Sequence, residues 1–184
     1  MKYAAPIRRS LGIRTVFNLL GPLTNPASAQ AHLMGVFDPY LVEIYPQVLR
    51  SLGVKRALVA HGIDGLDELS TLGSSYVSEL VDGAIWCYEL RPETFGLRRT
   101  TPDRLRAESP HESAKLALML LNNELQDERY EMLLLNAGAG IYLGQGAASL
   151  EAGMTKAEES IRSRAAYEKL RLLIERIEVK PSQR

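Results

Sequence analysis

Two short apolar runs, residues 32–37 and 56–60, flank a stretch whose apolar residues recur at helical spacing, and this arrangement constrains the fold more than any other feature of the chain. Asp38-Pro39 opens the intervening helix with a capping carboxylate and a proline at the first helical position, where a missing N–H costs nothing. Leu41, Ile44, Val48, Leu49 and Leu52 give it a core-facing stripe, Pro46 is expected to interrupt and kink it, and Gly53 closes it. Residues 32–60 therefore read as a strand, helix, strand unit. Such units are right-handed and parallel in nearly all proteins, and parallel sheets bind ligands beyond the carboxyl ends of their strands. The loop starting at His61 occupies that place.

The rest of the sequence adds an antiparallel piece and helices. Alternating stretches at 76–80 and 85–90 flank Val81-Asp82-Gly83-Ala84, whose Asp-Gly pair signals a hairpin. Ser109-Pro110-His111-Glu112 is a capping box that opens a helix through Leu118 and Leu121. Residues 128–142 predict an apolar central helix. Thr155-Lys156-Ala157-Glu158 reads as a second capping box, starting a long amphipathic helix through Ile161, Leu170 and Ile174. Near the start, residues 3–11 read as a short helix ended by Gly12. Gly21-Pro22-Leu23-Thr24-Asn25-Pro26 is a rigid loop with two prolines, and the tail from Lys180 is expected to fray. The fold class is α/β, a partial mixed sheet flanked by helices.

Charge and composition narrow the ligand. Twenty-two basic residues balance twenty-two acidic ones, so no net field draws the chain to nucleic acid or an anionic membrane. Apolar runs such as Met132-Leu133-Leu134-Leu135 fall far short of the roughly 20 residues that cross a bilayer. The first nine residues lack the apolar stretch of a signal peptide, which points to the cytoplasm. Cys87 has no cysteine partner and no metal-site spacing, and reads as a small buried hydrophobe in a strand.

The stretch with most chemical content is His61-Gly62-Ile63-Asp64-Gly65-Leu66-Asp67-Glu68-Leu69-Ser70. In a loop, the adjacent carboxylates of Asp67 and Glu68 can turn toward one hard cation, and magnesium suits them because it uses few protein carboxylates and keeps waters and phosphate oxygens. The plainer reading of such a loop is a solvated turn. Arg8 and Arg9 lie beside the Gly-Pro loop, where one guanidinium could hold a carboxylate by two parallel bonds or both could be solvated with packed stems. His61 has no second nitrogen or sulfur ligand nearby and reads as a hydrogen-bonded structural group before an acid, base or ligand. The glycines of Asn136-Ala137-Gly138-Ala139-Gly140-Ile141-Tyr142-Leu143-Gly144 follow no strand and miss the dinucleotide spacing, so close helix packing explains them better. The P-loop, nucleophile-elbow and H-E-x-x-H motifs do not occur in the sequence.

Taken together, residues 8–26, from Arg8-Arg9-Ser10-Leu11-Gly12 to Gly21-Pro22-Leu23-Thr24-Asn25-Pro26, and residues 61–70 resemble anthranilate phosphoribosyltransferases. The two motifs keep the family's order and spacing, and a weaker likeness through Leu135-Asn136-Ala137-Gly138-Ala139 extends over nearly the whole chain. Nucleoside phosphorylases of similar fold share a loop like Gly-Pro-Leu-Thr-Asn-Pro, but Gly65-Leu66-Asp67-Glu68 favours the anthranilate family. The resemblance implies that Arg8 contacts the anthranilate carboxylate and that Gly21 and Pro22 help line that site. It implies that Asp67 and Glu68 bind Mg2+ on the pyrophosphate of phosphoribosyl pyrophosphate, with no side chain assigned as a catalytic group.

The family's glycine-rich pyrophosphate loop, of the Gly-Thr-Gly-Gly-Asp type, and its Lys-His-Gly-Asn segment do not occur in the 184 residues. By resemblance, residues 1–184 are the carboxy-terminal portion of a catalytic domain like those of nucleoside phosphorylases and phosphoribosyltransferases. The amino-terminal helical domain, through which full-length members homodimerise, is absent from these residues. Alternatives are a nucleoside phosphorylase relative, or a non-catalytic remnant that acts as an interaction module.

Overall fold

A computed structural model describes residues 20–21, 23–24 and 27–178. The expected helix at 3–11, Arg8, Pro22 and the tail from Lys180 lie outside the described residues. The chain forms a four-stranded sheet in the order β1 (Ala31–Gly35), β2 (Arg56–Gly62), β3 (Ser75–Val81), β4 (Ala84–Leu90). β1 and β2 are parallel, with Leu33 opposite Leu58 and Gly35 opposite Ala60. β3 runs antiparallel to β2, and β4 antiparallel to β3. The sheet is mixed and flanked by helices, as expected. Asp82 and Gly83 take φ of 47° and 87° at the hairpin tip, the left-handed pair that the favoured two-residue turn requires.

Helix α1 (Tyr40–Ser51) makes the crossover from β1 to β2. Asp38 Oδ1 accepts from the Tyr40 N–H at 3.0 Å, and Gly53 follows the helix at φ 83°. The residues that α1 buries are Val42, Tyr45, Pro46 and Leu49, whereas Leu52 is exposed. The stripe is thus rotated from the expected one. Val42, Tyr45 and Pro46, absent from the expected stripe, belong to the core face. Pro46 does not break the helix, which continues to Ser51.

Period-two alternation along β2 divides the core. Ala57 and Val59 pack with Met34, Val42, Tyr45, Leu49 and Leu80 on the α1 side. Leu58 and Ala60 face the other way and pack with Leu69, Val77 and three residues of α4, Leu135, Ala139 and Leu143. This second layer follows from short α2 (Pro102–Leu105), then α3 (Pro110–Leu121), α4 (Glu128–Leu143), α5 (Leu150–Arg162) and α6 (Ala165–Glu178). Ser109 caps α3 as expected, its Oγ accepting from the Glu112 N–H at 3.1 Å, but the Glu112 carboxylate takes the Glu108 N–H at 2.6 Å, so the reciprocal bond of a capping box falls one residue earlier.

Two further expectations fail. The long helix from Thr155 is in fact α5 and α6, parted at Arg164, whose φ is 63°. Ser149 is the cap of α5, its Oγ accepting from the Ala152 N–H at 3.2 Å. Thr155 lies mid-helix and donates back to the Glu151 carbonyl at 3.1 Å, so a capping pattern inside a helix was mistaken for its start. Cys87 is exposed. It sits on edge strand β4, most of whose residues are uncovered, so strand membership did not confer burial. Among the described residues, no helix is long and apolar enough to cross a membrane.

Candidate functional site

Strand β2 runs through His61 and Gly62, and the loop beyond it is fixed by its own hydrogen bonds. The Gly62 N–H donates to Leu66 O and the Gly65 N–H to Gly62 O, both at 2.8 Å. Gly65, at φ 94°, allows the reversal. Asp64 accepts the Leu66 N–H at 3.0 Å and the Ser70 hydroxyl at 2.5 Å. Of the three carboxylates in the loop, Asp64 is therefore a staple committed to the fold.

Asp67 and Glu68 differ. Both are exposed, and none of the ion pairs among the described residues uses either. Their backbone lies across the carboxyl end of β1: a Cβ on Gly35 would stand 1.4 Å from Asp67 O and 3.1 Å from Glu68 N. The acidic pair thus sits beyond the ends of both parallel strands, where strand topology predicts a ligand. The turn on its other side is anchored as well. The Leu69 side chain is fully buried. Its N–H donates to Asn136 Oδ1 at 3.1 Å, and its carbonyl accepts from Asn136 Nδ2 at 2.8 Å.

His61 is buried, with Nδ1 2.8 Å from Val36 O, so it ties the end of β2 to the residue that follows β1. The structural reading of His61 is the one observed. Gly21 lies in a helical turn where Thr24 Oγ1 donates to Leu20 O at 3.0 Å. Among the described residues, nothing comes within 4 Å of a Cβ built on Gly21. Gly138 and Gly153 pack α4 against α5, the close helix approach expected for the glycine-rich stretch.

A groove of about 710 Å³ opens beside the loop, with Leu66, Glu68, Leu72, Leu105, Arg106 and Met132 among its walls. Partial desolvation of the Glu68 carboxyl, and then the charges of Asp67 and Asp64, push it above its ordinary range. A folded state that favours protonation loses stability once Glu68 ionises, and the loss vanishes as pH falls below the unfolded pKa. Glu68→Gln is therefore expected to raise Tm near neutral pH and to leave it unchanged at about pH 3, below the ordinary carboxylate range. Thermal unfolding at both pH values checks this, and an equal Tm at neutral pH would remove the argument.

Among the described residues, no group of three or more His, Cys, Asp or Glu side chains could hold a metal. Two exposed carboxylates on a pinned backbone, without nitrogen or sulfur donors, instead suit a hard cation that keeps waters and shares substrate oxygens. Magnesium fits that donor set. Sequence reading passed over Gly35 and Asn136. Asn136 did leave a signal: a lone amide within an apolar helix must find partners or cost stability.

The sequence signature of the glycosyl transferase family, a/b domain, matches residues 1–167. The chain is 45% identical over 174 residues to an anthranilate phosphoribosyltransferase of Alkaliphilus metalliredigens, covering 95% of this chain and 51% of that protein. The corresponding Brevibacillus brevis protein is 49% identical over 170 residues, covering 92% and 50%. The crystal structure of anthranilate phosphoribosyltransferase from Thermus thermophilus superposes with a TM-score of 0.83 at 44% identity, covering 96% of this chain and 50% of that one. The Saccharomyces cerevisiae enzyme in complex with PRPP and Mg gives 0.86 at 30% identity, covering 98% and 52%. The chain spans about half the length of the curated relatives it matches. With its signature matched over most of its length and its mixed sheet superposing on these structures, the chain belongs to the glycosyl transferase family, a/b domain.

Proposed function

We propose that residues 1–184 are the carboxy-terminal portion of a cytoplasmic anthranilate phosphoribosyltransferase. The reaction transfers phosphoribosyl from phosphoribosyl pyrophosphate to anthranilate, giving N-(5-phosphoribosyl)anthranilate and pyrophosphate for tryptophan biosynthesis. The observation that carries this reading is the Asp67–Glu68 pair, without an ion-pair partner among the described residues and held on a pinned backbone beyond the ends of two parallel strands. The names of the relatives support it, as does a Saccharomyces cerevisiae relative in complex with 4-fluoroanthranilate.

In this reading Asp67 and Glu68 hold Mg2+, Arg8 grips the anthranilate carboxylate by two parallel bonds, and Gly21 and Pro22 line that pocket. The aromatic amine attacks the ribose anomeric carbon, the bond from that carbon to the pyrophosphate oxygen breaks with its electron pair leaving on pyrophosphate, and the nitrogen releases a proton to water. Bound magnesium supplies charge neutralisation for the departing pyrophosphate. The chain's own residues position and orient, and none of them serves as nucleophile or general base. The glycine-rich phosphate loop of the family belongs to the other half of such an enzyme, so these 184 residues alone are inactive, and the completed protein is a homodimer.

The test is a chimera joining the amino-terminal half of the Thermus thermophilus relative to this chain, assayed for anthranilate consumption with phosphoribosyl pyrophosphate and magnesium. Activity is expected, falling on the order of 100-fold or more with Asp67→Asn and Glu68→Gln together, the scale of losing electrostatic stabilisation of a developing charge. A folded chimera that ignores anthranilate but splits nucleosides with phosphate would overturn the reading, as would a double variant of unchanged rate.

A further inference from the structure

We propose that Asn136 is a positioning residue for the Asp67–Glu68 pair, its amide clamping the backbone beside them so that both carboxylates leave the loop in a fixed direction. This rests on reading the pair as a metal site. Asn136 stands on α4, 67 positions away in sequence, and grips both polar backbone groups of Leu69. Its Nδ2 also donates to Met132 O at 3.1 Å, one helical turn earlier. That second acceptor fixes which way the amide faces. Turned over, its oxygen would meet two carbonyls and its NH2 would meet the Leu69 N–H, so three bonds would become three repulsions.

The clamp acts on the backbone that carries the acids. The Asp67 backbone rests on Gly35, the Leu69 side chain is fully buried in the core with Leu135 and Ala139, and Glu68 lies between these anchors. Burial of Leu69 fixes where that residue sits but not how its peptide planes are turned. A paired N–H and carbonyl fix the planes, and through them the directions in which the flanking side chains depart. Two ligands on adjacent residues converge on one cation only for a narrow range of those directions. An apolar residue at 136 could fill the same space, yet it would leave two backbone groups of Leu69 without partners.

The experiment uses the whole chain with Mn2+ alone as the probe, read by paramagnetic broadening of the amide signals of residues 64–70 and by amide hydrogen exchange at Leu69. Asn136→Leu keeps the branched shape of the side chain and removes the clamp. Groups that orient metal ligands typically change metal affinity 10- to 100-fold when removed. The expected result is a loss of at least about tenfold in Mn2+ affinity with faster exchange at Leu69. Leu143→Ala, which thins the same core layer without touching the loop, should lower Tm and leave Mn2+ affinity unchanged. Unchanged affinity in Asn136→Leu, or equal losses in both variants tracking their stability, would make Asn136 a structural residue and overturn the proposal. Absence of site-specific broadening in the unsubstituted chain, with none removed by Asp67→Asn and Glu68→Gln, would instead sink the metal reading and the proposal with it.

Discussion

Gly35→Ala is expected to disable the acidic loop outright. An added methyl would stand 1.4 Å from the carbonyl oxygen and 2.3 Å from the carbonyl carbon of Asp67. Carbon atoms do not approach that closely, and the obstacle is backbone, so no rotamer change relieves it. Either β1 retreats from β2, breaking the parallel register at Gly35 and Ala60, or the loop lifts away and carries both carboxylates off their anchor. Overpacking of this kind costs about 1–3 kcal/mol, and the smallest possible side chain should already reach the top of that range. Denaturant unfolding should show the loss, and Mn2+ should no longer broaden the amide signals of residues 64–70. Gly62→Ala provides the contrast. A Cβ there would meet the Asp64 Oδ1 side-chain atom at 2.6 Å, with Ser70 Cβ at 3.1 Å and Leu66 O at 3.3 Å. A carboxylate oxygen can swing aside, at the cost of its bond to the Leu66 N–H, which is worth about 1 kcal/mol. The ordering Gly35→Ala well below Gly62→Ala in stability and in Mn2+ affinity is the prediction. The reverse order would mean that the acidic loop does not rest on β1.

How much of this was legible in the sequence depends on the range of the interaction. The crossover unit, the hairpin and the Ser109 cap are local, each specified by residues a few positions apart, and they were readable. So was the pair of acids beyond β2, because strand topology places ligands there. What escaped reading is carried by contacts between distant segments. Nothing near Gly35 announces that Asp67 will lie across it, and nothing near Leu69 announces that Asn136 will hold it. Thr155 misled for the opposite reason: its pattern is local and ambiguous, fitting a cap as well as a threonine bonded back to Glu151. Cys87 shows a third case, in which strand periodicity was right but burial depends on what covers the sheet. Asp64, a third carboxylate of the same loop, is set apart from Asp67 and Glu68 by hydrogen bonds that only the folded loop can form.

The glycine-rich stretch of α4 yields the second large effect, with opposite signs expected at neighbouring positions. Alanine is a better helix former than glycine by about 1 kcal/mol, so a glycine inside a helix costs stability unless something needs its missing side chain. At Gly140, which is exposed, nothing among the described residues lies within 4 Å of a built Cβ, so Gly140→Ala should stabilise the chain by about 0.5–1 kcal/mol. At Gly153 on α5 the same methyl would stand 2.2 Å from Gly138 O and 3.0 Å from Gly138 C. At Gly138 it would stand 2.7 Å from Met154 N and 2.9 Å from Met154 Cα. The two helices meet backbone to backbone, and each glycine faces the other's chain. Gly153→Ala must therefore push α5 away from α4, loosening the Ala157 and Ile161 contacts that α5 buries. The packing loss, about 1–3 kcal/mol, should exceed the helix-propensity gain and leave a net destabilisation. Because α4 also carries Asn136, Gly138→Ala should additionally speed amide exchange at Leu69, whereas Gly140→Ala should not. Denaturant midpoints of the three variants decide the matter. If Gly153→Ala proves as stabilising as Gly140→Ala, the helices are not in backbone contact and α4 is not the rigid support on which the Asn136 clamp depends.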